Sequence, residues 1–406
     1  MPPLLSTSLI DEELFIFGLA LVGGALLAGL ARRSFLSLTA VFVLAGFALG
    51  EGGLELIELD PRSGFVEALA VIALIVILFR DGLEVEAEML QTAWHVPLRA
   101  LVVAMPLTGA LVACAAQALT DLSWTECFLL GALLAPTDPV LSSAVVTNSR
   151  VPRIVRHSLN LESGLNDGLA LPAVLAFTFA LEQEDDFVWW QFVLQDVSLG
   201  LVTGLVIAYA AAHILPRGRG LEQDVTAHQK AMYALGVALA CYGTAVLPPE
   251  GNGFIAVFVG AIALGLWRPD IRESFVARSE DIIEIVKLGV FLVFGSLFTL
   301  DGLFGDGWAA VALVAFTLLV ARPVALVASL IGNRQVDGTQ EAFMSWFGPK
   351  GVATMTFSLF VLGSAVPEAE RIVNLAALVV ITSVVVHGLT DTPGANWLGR
   401  RAERAA

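Results

Sequence analysis

Residues 127–146 read CFLLGALLAPTDPVLSSAVV, an apolar run of membrane-crossing length interrupted near its middle by Pro136, Thr137, Asp138 and Pro139. A helix needs about 20 residues, at 1.5 Å each, to cross about 30 Å of hydrocarbon. Two prolines remove two backbone donors, so the helix breaks at mid-depth, where backbone must be satisfied by protein or by a wet cavity. The plain reading makes Pro139 the first residue of a new half-helix, with Asp138 or Thr137 as its N-cap. The same groups are also hard oxygen donors: freed carbonyls, a hydroxyl and a carboxylate suit a dehydrated alkali cation. The two roles are compatible.

The surrounding sequence makes this run one of many. Of 406 residues, 57% are hydrophobic and only 15% charged, against about 25% charged in soluble domains. Thirteen runs of spanning or near-spanning length fall at roughly 14–31, 35–50, 65–80, 97–119, 127–147, 159–181, 190–215, 229–247, 252–267, 281–300, 308–331, 341–363 and 371–389. The chain therefore reads as an all-α polytopic membrane protein. Its opening, MPPLLSTSLIDEE, lacks a basic segment and meets Asp11, Glu12 and Glu13 before any long apolar run, so the first span is expected to be retained rather than cleaved. Cys114, Cys127 and Cys241 show no CxxC spacing and no clustered histidines, which argues against disulfide and zinc chemistry. The formal charge of -16 would argue against nucleic acid in a soluble protein; here it mostly reflects acidic loops beside spans and says little about a partner, and no nucleic acid is expected.

Orientation follows from the basic residues, which collect in cytoplasmic loops. Seventeen of the 22 fall in alternate loops on one side, among them Arg150, Arg153, Arg156, Arg400, Arg401 and Arg404. The other side has only Arg62 and Arg371, while Lys287, Arg322 and Lys350 lie within spans. This asymmetry predicts an inner-membrane protein with its N-terminus outside and its C-terminus cytoplasmic.

Six charges inside apolar spans carry the functional signal: Asp138, Glu162, Asp167, Lys287, Arg322 and Lys350. At about 2.5 to 3.5 kcal/mol each, they would cost on the order of 18 kcal/mol unless paired or hydrated. In SLNLESGLNDGLALP (158–172), Ser163 and Asp167 are four apart and share a helix face, while Glu162 and Asn166 form a second such pair turned by about 100°. Asp167 then lies near the depth of Asp138, where a proton and a cation would compete for one site. Glu162 needs a counter-ion, and Arg322 in VARPV is the natural one. WFGPKGVATMTFS (346–358) places a second interruption around Lys350. A cation is unfavourable at a helix N-terminus, so Lys350 is expected to face the carbonyl end of a neighbouring broken helix or one of the carboxylates. Lys287 balances either Glu284 or a core carboxylate.

The interruptions lie in the fifth and twelfth spans. If residues 1–189 (spans one to six) and 229–406 (spans eight to thirteen, with a short cytoplasmic tail) are two repeats joined by a linker helix within 190–228, the broken spans correspond and the repeats are inverted, the pattern of secondary transporters.

APTDPV (135–140), ESGLND (162–167), VARPV (320–324), GPKGV (348–352) and SVVVHGLTDTP (383–393), in this order and span placement, resemble the cation:proton antiporter-1 family of sodium/proton exchangers over nearly the whole chain. The resemblance implies a thirteen-helix Na+/H+ antiporter fold with a dimerisation domain and a six-helix core. It further implies a homodimer in the lipid bilayer and elevator-like exchange of one Na+ or Li+ for one H+, with no cofactor. By the family's pattern Asp167 carries the exchanged ion, Asp138, Thr137 and Ser163 line its site, Asn166 marks the electroneutral type, and Glu162 pairs with Arg322. Two departures stand out. A Phe-Glu-Gly-Gly-Leu type stretch is here Phe79, Arg80, Asp81, Gly82 and Leu83, and Lys350 stands where the family often has Arg.

Other features read more plainly. Stretches such as GLALVGG (18–24) suit close helix packing, and His157 and His228 fall in solvated loops. An intramembrane aspartyl protease also needs two buried aspartates, yet Asp138 and Asp167 lack its Tyr-Asp and Gly-Leu-Gly-Asp settings. A channel would show passive flux without proton coupling. K+/H+ exchange is the serious competitor, because oxygen ligands alone do not fix ion size.

Overall fold

The computed structural model describes residues 38–85, 94–138, 148–183, 187–216, 225–248 and 250–405, with positions 18, 22 and 145. The expected first span and most of GLALVGG lie outside them. Among the described residues the regular structure is helical, without strands. The helices are α1 (Leu38–Leu49), α2 (Gly64–Glu84), α3 (His95–Leu119), α4 (Trp124–Leu134), α5 (Arg153–Glu182), α6 (Trp189–Ile214), α7 (Ala227–Ala245), α8 (Gly253–Trp267), α9 (Pro269–Ser296), α10 (Trp308–Leu330), α11 (Gly338–Trp346), α12 (Val352–Gly363) and α13 (Ala369–Ala405), with a single turn at Leu300–Leu303.

These elements follow the hydropathy reading. α1 to α3 fall on the second to fourth expected spans, α4 on the first half of the fifth, α5 to α10 on the sixth to eleventh, α11 and α12 on the two halves of the twelfth, and α13 on the last. Five of them, α3, α5, α6, α10 and α13, are each long and apolar enough to cross a bilayer unaided. α4 and α11 stop at breaks, α12 starts at one, and between α8 and α9 the chain turns through 119° at Arg268.

Side-chain caps fix several starts. Ser123 and Glu126 cap α4 reciprocally, as do Thr226 and Gln229 for α7 and Asp337 and Gln340 for α11. Asn252 accepts from two amides opening α8. Buried Arg268 does the opposite work for α6, donating to the carbonyls of Ala212 and Leu215 while Asp270 neutralises it. Lys230 also meets Asp270, and the Arg268 hydrogen bonds hold that carboxyl well below the usual range.

α3 and α10, which pack together, share a local device. Each contains a π-helical stretch, Ala100–Ala104 and Thr317–Ala321, one residue ahead of the dipeptides Met105-Pro106 and Arg322-Pro323. Proline has no amide hydrogen to continue the ladder, and a wide turn absorbs the mismatch.

Small residues let the helices approach closely. α3 meets α4 at Gly109 and Gly131, where a Cβ on either glycine would press on the other's carbonyl, and α1 meets α9 where a Cβ on Gly46 would strike the Leu292 carbonyl and one on Gly295 the Val43 carbonyl. The buried apolar side chains form a large cluster and a smaller one, the latter drawn from Val96, Val145, Val155, Leu326, Phe343, Phe347 and Leu398 among others. The breaks at 135–138 and 347–351 lie where the two clusters meet. At the opposite end of the bundle Arg371, one of the two basic residues predicted outside, binds Asp306 and Asp121 and approaches Glu368. Its hydrogen bond holds the Asp121 carboxyl below its ordinary value.

Gly131→Val should abolish a monodisperse peak in fluorescence-detected size exclusion, because α3 and α4 can no longer touch. Gly243, whose added Cβ would meet nothing within 4 Å, should tolerate Ala and gain up to about 1 kcal/mol from lost chain entropy, read as a small rise in melting temperature.

Candidate functional site

α4 ends at Leu134 and α11 at Trp346, and the irregular segments that follow these ends meet. The Asp138 amide donates to the Pro349 carbonyl at 2.8 Å. Lys350, 1% exposed, sends its ammonium away from α12 and onto the carbonyls of Ala135 and Pro136, both at 3.1 Å. The Thr354 hydroxyl takes the Leu133 carbonyl at 2.8 Å. The last carbonyls of α4, left without amide partners by the break, thus meet a cation and a hydroxyl. In return a carboxylate oxygen of Asp138 accepts from the Val352 amide at 3.2 Å, at the first residue of α12. Each break places its charged residue on the oppositely signed end of the other half-helix. The cap read from sequence, Asp138 on a half-helix starting at Pro139, falls on residues 139–144, outside the described ones; the cap that is present serves α12.

α5 supplies the next layer. Glu162 and Asn166, on one face, both turn to the first break: the Asn166 amide donates to the Thr137 carbonyl at 2.6 Å and its hydroxyl oxygen at 3.1 Å, and the Thr137 hydroxyl reaches Glu162 at 3.4 Å. Arg322 grips Glu162 with two N–H groups, at 2.7 and 3.3 Å, and both side chains are buried. Gly348 is required beside this pair, since a Cβ there would collide with the Arg322 guanidinium. The Arg322 π-turn, the Gly348 loop and the α5 face therefore fix one buried bidentate pair.

Asp167 lies on the other face of α5. It interacts electrostatically with Asp138, with Asp81 of α2 and with Lys287 of α9, and Asp81 in turn feels Asp138 and Lys287. These four are partly exposed, whereas Thr137, Glu162, Asn166, Arg322 and Lys350 are buried. The site thus divides into a dry scaffold and a wetter charged wall. The side-chain oxygen of Asn166 is buried without a hydrogen-bond partner among the described residues, an acceptor available to a ligand. The Ser163 side chain lies outside the described residues.

The sequence reading left Asp81 without a role and Lys287 open between Glu284 and a core carboxylate, and the structure sets both beside the carboxylates. Arg80 turns aside to Glu84 at 3.1 Å, leaving Asp81 as the acidic group of the FRDGL stretch that faces the site. Thr354, Ser383 and His387 were missed as contributors. Their signal was the i,i+4 spacing of Ser383 and His387 on an otherwise apolar helix.

Two broken helices crossing at buried charges are the architecture of ion-coupled secondary transporters. A family model described as sodium/hydrogen exchanger, transmembrane, matches residues 18–397. The chain belongs to the sodium/hydrogen exchanger family. The exchanger chain is 26% identical over 365 residues to the K(+)/H(+) antiporter NhaP of Alkalimonas amylolytica, covering 88% of this chain and 62% of that one. It is 26% identical over 394 residues to the K(+)/H(+) antiporter NhaP2 of Shewanella oneidensis, covering 95% and 67%. To the Na(+)/H(+) antiporter NhaG of Bacillus atrophaeus the identity is 26% over 376 residues, covering 88% and 70%. The chain thus spans about two thirds of the length of these relatives. The solved sodium proton antiporter MjNhaP1 from Methanocaldococcus jannaschii matches with a TM-score of 0.83 at 20% identity, covering 96% of this chain and 99% of that one, which establishes the antiporter fold.

In this exchanger Glu162→Gln leaves a buried guanidinium without its counter-ion, a change that costs about 3–5 kcal/mol. The melting temperature of Glu162→Gln and of Arg322→Gln should fall sharply, and the double variant should recover part of the loss. Single losses that simply add would contradict the pairing.

Proposed function

We propose that this chain exchanges a monovalent cation for a proton across the cytoplasmic membrane by alternating access. The observation that carries the reading is the wet wall of Asp81, Asp138 and Asp167 beside the crossed breaks, with the unpartnered Asn166 oxygen behind it. Asp167 is the exchanging group. It holds either a proton or the cation, because carboxylates this close oppose one another's ionisation and a bound cation relieves that repulsion. Asp138 and Thr137 line the cation's place with Ser163, while Asn166 holds Thr137. Glu162 with Arg322, and Lys350, are scaffold: they compensate charge and fix the loops without taking part in exchange. Lys287 offsets part of the carboxylate charge, so that the empty site need not be filled by two cations. Exchange is electroneutral in this reading, one cation against one proton, and needs no cofactor.

Na+ or Li+ is the cation in this reading, and the family description, which names sodium, supports the first. K+ is the second reading, favoured by the names of the relatives NhaP and NhaP2. The same proposal includes the repeats at 1–189 and 229–406 around the linker 190–228, an outside N-terminus, a cytoplasmic C-terminus and a homodimer.

The test is reconstitution in acid-loaded liposomes with a trapped pH dye, adding NaCl, LiCl or KCl. Alkalinisation should follow at least one salt and be lost, by two orders of magnitude or more, in Asp167→Asn. Exchange that survives this variant would overturn the mechanism. A valinomycin clamp should leave the rate unchanged, and a rate that follows the imposed potential would refute electroneutral exchange.

A further inference from the structure

Ser383, His387, Thr390 and Asp391 of α13 stand outside the exchange just described, yet they grip the second break from behind. The Lys350 amide donates to the Ser383 hydroxyl oxygen at 2.9 Å. The His387 ring, 2% exposed, has Nε2 at 2.9 Å from the Trp346 carbonyl, the last residue of α11. Its Nδ1 lies 3.1 Å from the Ser383 hydroxyl oxygen and 2.8 Å from the Ser383 carbonyl. The Trp346 ring stacks 5.2 Å from the imidazole and donates to Thr390 at 3.0 Å. Asp391 accepts the Val145 amide at 3.0 Å, so the same helix also holds the far side of the first break.

A carbonyl oxygen can only accept and one stands beside each ring nitrogen, but Nδ1 alone also has a hydroxyl donor beside it, which places the hydrogen of a neutral ring on Nε2, toward Trp346. Two arrangements of Nδ1 remain. In a neutral ring Nδ1 accepts from the Ser383 hydroxyl, and one directed chain runs from the Lys350 amide through Ser383 into His387. In an imidazolium Nδ1 donates to the Ser383 carbonyl, and the hydroxyl hydrogen that closed the chain is turned out. The charged groups facing the ring from neighbouring elements are Lys350 of the break and Arg322 of α10, both cations, with Asp391 one turn further along its own helix. An imidazolium would be a third positive charge in a buried corner.

We propose that neutral His387 is a positioning residue for Lys350: with Ser383 it pins both rims of the second break, and its protonation slackens that hold. The acid limb of transport then belongs to His387, whereas the exchanged proton belongs to Asp167. The proposal rests on the antiporter reading only for its transport readout.

The experiment joins two measurements on the full chain. Imidazolium quenches a stacked indole, so the Trp346 fluorescence, isolated as the difference between wild type and Trp346→Phe, should fall on acidification in purified protein, and His387→Gln should abolish that titration. This arm requires no ion exchange and stands even if the transported ion is misassigned. In liposomes His387→Gln, which keeps an amide donor for Trp346, should hold the cation KM within about twofold and lose the acid limb. Ser383→Ala should lower kcat by about fivefold, the scale of one net hydrogen bond, with KM unchanged. The proposal is overturned if the Trp346 signal does not titrate, if it titrates equally in His387→Gln, or if His387→Gln retains the wild-type acid limb.

Discussion

The exchange of charged side chains between two broken helices is the constraint from which the rest follows. A break inside a membrane exposes carbonyls at one half-helix end and amides at the other, and both must be satisfied without bulk water. Here Lys350 of one break covers the carbonyls of α4, and Asp138 of the other covers an amide of α12. Neither break is stable alone. Each supplies what the other lacks, so the crossing is held by complementary electrostatics, which is why the loops can remain irregular at this depth.

Around that crossing the cost of buried charge is divided. Glu162 and Arg322 are dry and matched by a bidentate bond, which holds Thr137 and the Gly348 loop in place. The carboxylates of Asp81, Asp138 and Asp167 are left in partial contact with solvent, where they repel one another. A dry, matched scaffold thus stands beside a partly solvated group of carboxylates. Lys287 tempers the wall with a charge that is tethered to the chain.

Much of this was legible in the sequence, for identifiable reasons. Apolar length located every span among the described residues. The proline pairs and glycines around Thr137 and Lys350 marked both breaks, because Pro and Gly act on the backbone itself. The i,i+4 relation of Glu162 and Asn166 gave their shared face, and charge balance alone nominated Arg322. What the sequence could not supply was direction across the fold. Asp138 reaching the first amide of α12, Asp81 turning inward past Arg80, and Lys287 meeting core carboxylates all depend on how α2, α9 and the two breaks pack. The polar stripe of α13 was visible as a motif, but its partner, the Trp346 carbonyl, lies 41 residues away.

The central claim is that cation and proton compete for one carboxylate site at the crossing. Titrating the purified protein with NaCl and with KCl by calorimetry, in buffers of differing ionisation enthalpy, measures the protons released on binding. Competition for a shared ligand set predicts about one proton released per cation bound at a pH well below the midpoint of the site, falling to about half a proton at the midpoint. Cation binding with the same heat in every buffer, and so no proton released, would contradict it.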